Sequence, residues 1–162
     1  MRALVLALLL AACAAPGARM REAAEVMAPL IGCWRGTFEG NAHVVDERCF
    51  AVLDGRHVVD THAVRPTDYS GETTYHLDET SGRIVFAYAS SGGGRSNGEL
   101  APIEDGFAFP AHAFHGADGA ALRLRSTWRF ESTDSFVAET ELEEAGTWRP
   151  FMRIRYLRAT PE

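Results

Sequence analysis

The sequence has no block of basic residues and lacks the commonest motifs of nucleophilic enzymes. Its 22 acidic and 16 basic side chains give a net charge of −6 with histidine neutral, and the basic ones are scattered along the chain. Nucleic-acid-binding domains usually carry a basic patch or stripe, so no nucleic-acid partner is expected. The letters Gly-x-Ser-x-Gly occur at residues 94–98, but no helical pattern follows them as a nucleophile elbow requires, and no free cysteine lies beside a histidine. These absences favour a protein that is not an enzyme.

Cysteine is scarce, and the three present fall into two groups. Cys13 ends an apolar N-terminal run, whereas Cys33 and Cys49 lie in the body of the chain without a Cys-x-x-Cys motif, so no zinc site is expected. A first hairpin that sets Cys33 opposite Cys49 also sets Arg35 opposite Glu47, a favourable ion pair. This register predicts a Cys33–Cys49 disulfide, and two free thiols are the alternative.

The N-terminus has the pattern of an export signal. A charged start precedes an apolar run at residues 3–12, which is too short to span a bilayer. The run ends in Leu10-Ala11-Ala12-Cys13, which resembles the lipobox of bacterial lipoproteins, where the cysteine is lipidated and becomes the first residue. Ordinary cleavage after Ala15 or Ala18 is the alternative. Either way, the mature protein is expected to be exported.

This pattern divides the chain in two. Residues 1–19 are assigned to the signal peptide, its lipobox and a short tether, and residues 20–162 to one domain. A lipid on Cys13 would be the protein's contact with a membrane. Because Ala14 stands where an inner-membrane retention signal often has aspartate, we expect an outer-membrane lipoprotein on the periplasmic side of a bacterial envelope. A soluble secreted or periplasmic protein is the alternative.

The domain has little helical pattern. Residues 20–27 have a helical composition that ends at Pro29. The remaining chain consists of short alternating segments separated by Gly, Asp, Ser and Pro clusters, which indicates strands and hairpin turns. A meander this long removes its unpaired edges by closing, so the predicted fold class is all-β, an antiparallel up-and-down barrel with a short N-terminal helix. About ten strands are predicted, at residues 34–39, 44–53, 56–64, 71–77, 83–90, 98–103, 107–111, 121–131, 135–143 and 148–157.

The motif Gly32-x-Trp34-x-Gly36 opens this meander directly after the helix. Glycines on both sides of the indole allow close backbone packing, so Trp34 can close one end of a barrel. The motif, the helix, the meander and a basic last strand together resemble the lipocalin-like, or calycin, superfamily of small β-barrels. The resemblance implies that a late arginine packs across Trp34, and Arg153, Arg155 and Arg158 are the candidates.

The ten-strand pattern is also similar, more weakly, to the nitrobindin-type haem barrels. Those proteins bind iron through a histidine in the C-terminal part of the barrel, and no histidine follows His115 in this chain. We therefore expect no haem and no other cofactor.

Strand alternation indicates which side chains face the interior. In strand eight, Leu122, Leu124 and Trp128 alternate with arginines, so even-numbered positions point inward. Buried polar groups need partners, water or a ligand, so a polar interior predicts a half-polar pocket. A bulge that reverses one face is the alternative. The even-inward rule applied to strands two to five gives Asp46, Arg48, Asp60, His62, Thr74, His76, Tyr88 and Ser90.

The predicted function is binding of a small amphipathic or hydrophobic molecule, including a lipid. Two alternatives remain: an envelope interaction protein with a packed barrel, and a small hydrolase or isomerase with Asp60 and His62 as its acid–base pair. A metal site of His62, His76 and Asp60 has no compact motif behind it, so no metal is expected. The predicted ligand-binding residues are Trp34, Arg48, Asp60, His62, His76, Tyr88, Trp128 and Tyr156.

Overall fold

A computed structural model describes residues 21–160. The predicted export signal, the tether and Cys13 lie outside the described residues. The described chain is a closed antiparallel barrel in which each strand pairs with the next and β10 pairs with β1, so the predicted fold class is confirmed. Its elements are α1 (Ala23–Val26), a 3₁₀ turn (Ala28–Leu30), β1 (Gly32–Phe38), β2 (Asn41–Leu53), β3 (His57–Arg65), β4 (Tyr69–Asp78), β5 (Arg83–Ser90), β6 (Arg95–Ile103), β7 (Gly106–His115), β8 (Ala121–Ser132), β9 (Ser135–Glu144) and β10 (Thr147–Arg158).

The first hairpin has the register that the cysteines and charges predict. Cys33 pairs with Cys49 and Arg35 with Glu47, and the two cysteines are disulfide-bonded. The Arg35 guanidinium lies 3.0 Å from a Glu47 carboxylate oxygen. A bulge after Thr37 then shortens the turn. Since Cys33 is exposed, the disulfide joins the two strands on the outer face of the barrel.

One end of the barrel is closed by the short helix and Trp34. The indole is 1% exposed, and its Nε1 donates a 2.7 Å hydrogen bond to the carbonyl oxygen of Leu30. The Arg158 guanidinium lies 4.1 Å from the centre of the indole ring, so Arg158 is the late arginine that packs across it. At Gly32, whose φ is +115°, a Cβ would lie 3.1 Å from Arg158 Nη1, so the glycine leaves room for this guanidinium. Helix α1 is joined to the same end by a hydrogen bond from Ala24 N to the carbonyl oxygen of Arg56.

The even-inward rule holds for most strands but fails in β4. Asp60 of β3 lies opposite Thr73, so the odd-numbered residues of β4 share the inner face with the even-numbered residues of β3. Thr73 and Tyr75 are accordingly buried, whereas Thr74 and His76 lie on the outer face. The expectation that Thr74 and His76 face the interior is therefore wrong. Pairing returns even positions to the inner face in β5, where Tyr75 lies opposite Phe86.

Bulges in two other strands also change which residues face the interior. In β7, a bulge between Phe109 and His112 puts both of these residues on the inner face, although their numbers differ in parity. In β10, a bulge between Pro150 and Met152 has the same effect, so Trp148 lies on the outside against Arg125 and not in the interior as its number suggests.

The glycine-rich run at residues 90–98 is mostly strand. Arg95 already belongs to β6, so only the four residues Ser91 to Gly94 connect β5 and β6. Gly94 is buried against Phe114, whose ring would clash with a Cβ at this position. The run is therefore a tight turn followed by the first residues of β6.

Candidate functional site

The barrel encloses a cavity of about 660 Å³. It opens at the end opposite α1, where Tyr69, Leu122, Phe151 and Met152 line the mouth and are partly exposed. A cavity of this size lies within the range of small-molecule sites. A cavity of this size favours ligand binding over the packed barrel of the alternative interpretation.

The cavity has an apolar side and a polar side. The apolar side is built mainly by β5 and β7 to β10, because their inward positions carry large apolar residues. The polar side is built by β2, β3 and β4, with Tyr88 of β5 completing it. The main apolar residues are Phe86, Phe109, Phe114, Leu122, Leu124, Trp128, Ile154 and Tyr156, and the polar ones are Asp46, Arg48, His62, Tyr69, Thr73 and Tyr88.

Asp46 is the centre of the polar side. Its carboxylate is fully buried and accepts hydrogen bonds from His62 Nδ1 at 2.8 Å, from Arg48 Nε at 3.3 Å and from the Tyr156 hydroxyl. Burial alone would raise the pKa of Asp46, but the hydrogen bond from His62 and the charge of Arg48 outweigh it and hold the pKa below its ordinary value. Asp46 is therefore an ionised carboxylate with three donors.

Asp60 lies deeper, beneath Arg48, and is less well compensated. Its Oδ2 accepts a 3.1 Å hydrogen bond from Arg48 Nη1, while its Oδ1 has no partner within hydrogen-bond distance among residues 21–160, although Thr73 lies opposite it in β4. Burial raises the pKa of Asp60 to about 6, against the opposing effect of Arg48. The carboxylate is thus ionised at neutral pH at a cost in free energy.

Arg48 lies between two carboxylates and two aromatic rings. Its Cζ is 5.2 Å from the ring centre of Trp128 and 5.6 Å from that of Tyr156. Burial disfavours the charged guanidinium, but Asp60 and the other surrounding groups raise the pKa of Arg48 well above its ordinary value. The side chain, 13% exposed, is therefore a fixed cation in the cavity wall.

A chain of hydrogen bonds runs from Asp46 to the mouth of the cavity. His62 Nε2 lies 3.2 Å from the Tyr88 hydroxyl, which lies 2.6 Å from the Tyr69 hydroxyl. Because His62 Nδ1 donates to ionised Asp46, the Nε2 of a neutral ring accepts the Tyr88 proton, and Tyr69 then donates to Tyr88. Burial raises the pKa of Tyr88, as does its contact with Tyr69, so its hydroxyl keeps its proton.

The structure brings together five of the eight residues that the sequence predicts for ligand binding. Trp34 lies below the cavity at the closed end, Asp60 lies beneath Arg48, and His76 lies on the outer face beside the ring of His57. The other five line the cavity, and they are Arg48, His62, Tyr88, Trp128 and Tyr156.

The position of His76 also bears on two chemical interpretations. His62, His76 and Asp60 are not gathered around one point, and residues 21–160 contain no group of three or more metal-ligating side chains placed to hold a metal ion. The acid–base pair of Asp60 and His62 in the enzyme alternative does not form either. The histidine is hydrogen-bonded to Asp46, and Asp60 is bonded to Arg48.

Sequence reasoning missed several cavity residues. His112 lies just beyond the predicted strand seven, which ended at residue 111, but β7 continues through it and its ring packs 5.1 Å from that of Phe86. Allowing for a bulge at Pro110 would have extended the predicted strand seven, and its alternation of inward and outward residues, to Phe114. Nothing in the local sequence of β4 signals that Thr73 and Tyr75 face inward, because its pairing with β3 decides this.

Comparison with known proteins supports the fold. No protein-family model matches the sequence, and no match was found among curated proteins. Among solved structures, the chain is similar to Rv2717c from M. tuberculosis, with a TM-score of 0.59 and 14% identity over 85% of this chain and 97% of that one. At this level of identity the likeness concerns the fold alone, so the chain adopts a small ten-stranded antiparallel barrel of the kind seen in that protein.

Proposed function

We propose that the barrel binds a small amphipathic molecule inside its cavity. The observation that carries the proposal is a cavity of about 660 Å³, open at one end, with mainly aromatic and aliphatic side chains on one side and the charged cluster of Asp46 and Arg48 on the other. An apolar body would replace water against the apolar side, which is favourable by about 25 cal/mol per Å² of apolar surface removed from water. A polar head group would then contact the cluster of Arg48, His62 and Tyr88.

The lining supports ligand binding in preference to a structural role. A barrel that served only as an envelope interaction module would gain stability by filling its core, since empty space costs the packing contacts of the residues around it. Here large side chains such as Phe86 and Trp128 leave the centre open.

A titration with the neutral fluorescent probe N-phenyl-1-naphthylamine tests the proposal. Leu124 lines the cavity and makes no side-chain hydrogen bond in the described chain, so Leu124→Trp narrows the cavity without breaking a polar contact. Leu157→Trp is the matched control, because Leu157 is 57% exposed on the outer face of β10. We expect the wild type and Leu157→Trp to bind the probe equally and Leu124→Trp to bind it at least about tenfold more weakly. Equal binding by all three proteins would place the probe outside the cavity and refute the proposal.

We further propose that this barrel works in the bacterial envelope as an outer-membrane lipoprotein anchored through Cys13. The support is the sequence pattern Leu10-Ala11-Ala12-Cys13 and the presence of a disulfide, which persists in an oxidising compartment. Within residues 21–160, no helix has the length and hydrophobicity needed to cross a bilayer. Fractionation of the Cys13→Ser variant tests the anchor, since the variant should become soluble or stay unprocessed. Membrane association that is unchanged would contradict it.

A further inference from the structure

The polar side of the cavity carries more negative than positive charge. Asp46 and Asp60 contribute two carboxylates within one hydrogen bond of a single guanidinium, that of Arg48. His62 adds a positive charge only when its ring is protonated. With that ring neutral, the cluster therefore has one uncompensated negative charge, held in a wall where both carboxylates are fully buried and water screens them poorly.

The cation of this cluster is already engaged. Arg48 gives its Nε to Asp46 and its Nη1 to Asp60, and its face packs against Trp128 and Tyr156. An anion that approached the remaining Nη2 would also approach both carboxylates. Arg48 is thus bound to buried aspartates, so its guanidinium is not free to form the paired hydrogen bonds by which an arginine binds a carboxylate or phosphate.

The hydroxyl groups of the polar side also favour a cationic ligand. With neutral His62, the Tyr88 proton goes to His62 Nε2 and the Tyr69 proton goes to the Tyr88 oxygen. The protons of both tyrosines are then used inside the chain, and the lone pairs of the Tyr69 oxygen are left for a ligand. The aromatic rings of the cavity add negative ring faces, which attract cations.

We propose that the ligand of this cavity is an amphipathic amine, whose ammonium head group contacts the polar side while its apolar body fills the remaining cavity. This inference rests on the proposed binding function and narrows its ligand class. The same arrangement of charges discriminates against a carboxylate of equal chain length, such as a fatty acid.

Three ligands with the same tail separate the head group from the chain. Decylamine, decanol and decanoate are titrated against the N-phenyl-1-naphthylamine complex at about pH 8, where the amine is charged and decanoate is ionised. We expect decylamine to displace the probe at the lowest concentration and decanoate at the highest, with a ratio on the order of tenfold or more between them. Equal potency of the three would mean that the head group stays in water at the mouth and would overturn the inference. Tighter binding of decanoate would overturn it too.

A charge-removing variant tests the cause. Asp60→Asn keeps an oxygen for Arg48 and removes one negative charge, so the ratio of amine to carboxylate affinity should fall toward one. Glu72→Gln is the matched control, because it removes the same charge from the exposed outer face of β4. An unchanged ratio in Asp60→Asn, or an equal fall in Glu72→Gln, would contradict the role of the buried carboxylate.

The ratio of amine to carboxylate affinity in the wild type tests the inference even if Asp60→Asn fails to fold. Calorimetric titration of decylamine into the wild type, read together with the probe titration, separates a failure of the binding function from a failure of the ligand class. If neither the probe nor any of the three decyl compounds binds, the proposed function itself fails. If the probe binds but the amine has no advantage, the binding function stands and only the ligand class is refuted.

Discussion

Replacing His62 by leucine should destabilise the barrel, because both ring nitrogens of this histidine are hydrogen-bonded. The side chain is 8% exposed, with Nδ1 2.8 Å from Asp46 and Nε2 3.2 Å from Tyr88. A hydrogen bond to an ionised acceptor contributes about 2 kcal/mol and a neutral one about 1 kcal/mol. Asp46 keeps Arg48 and Tyr156 as donors, and the leucine gains some apolar contact. The free energy of unfolding should therefore fall by about 2 kcal/mol.

The chain offers a matched control for this substitution. His76 lies on the next strand but on the outer face, and no hydrogen bond of its side chain is seen in the described chain. His76→Leu should change the free energy of unfolding by less than about 0.5 kcal/mol. Urea unfolding followed by tryptophan fluorescence measures both variants. Equal effects of the two substitutions would refute the assignment of His62 to the inner polar cluster.

Three further predictions concern the disulfide, a glycine and the pH dependence of stability. Replacing Cys33 and Cys49 by serine should lower the free energy of unfolding by about 3 kcal/mol in the chain-entropy model, because the disulfide closes a loop with a sequence separation of 16; labelling of two thiols in denatured, unreduced wild type would contradict this. Gly36→Ala should cost about 1–3 kcal/mol or more, since its Cβ would lie 2.5 Å from Tyr156 Cε1, and a thermal midpoint equal to that of wild type would contradict the close packing. Burial raises the folded-state pKa of Asp60 from 3.8 to about 6, so its contribution favours folding below about pH 4 and is lost as the pH rises to about 6; unfolding of Asp60→Asn measured across this range should lack that loss, and an unchanged pH profile would refute the assignment.

The strands and the first hairpin were predictable because their signals are local. Alternation in β8 identifies Leu124 and Trp128 as inward residues without any knowledge of the partner strand. The disulfide register rests on two independent pairs, Cys33 with Cys49 and Arg35 with Glu47, and both are present. Each of these predictions needs only a period of two or a single tight hairpin.

The candidate site was harder to predict, because it depends on which residues of each strand share the inner face with those of the neighbouring strand. The β3–β4 pairing sets Asp60 opposite Thr73, so the odd-numbered residues of β4 face inward and His76 lies outside. In β7 and in β10, a bulge changes within the strand whether odd- or even-numbered residues face inward. A strand's own sequence does not specify which partner residue it faces, and a shift of one position moves every side chain to the other face. Asp46 was expected inside, but its role as the shared acceptor of His62 and Tyr156 depends on three strands at once, β2, β3 and β10.

The position of α1 decides to which end of the barrel the proposed lipid anchor would be attached. Ala24 is hydrogen-bonded beside the β2–β3 turn, so the described chain enters the barrel at its closed end. A lipid on Cys13 would be joined to that end by residues 14–22, which span at most about 30 Å when extended. The opening between Tyr69 and Phe151 lies at the other end of the barrel, so it would face the aqueous phase whenever the closed end lies against the bilayer. In that orientation the barrel would exchange its cargo with the solution or with a soluble carrier, and would not extract it directly from its own membrane.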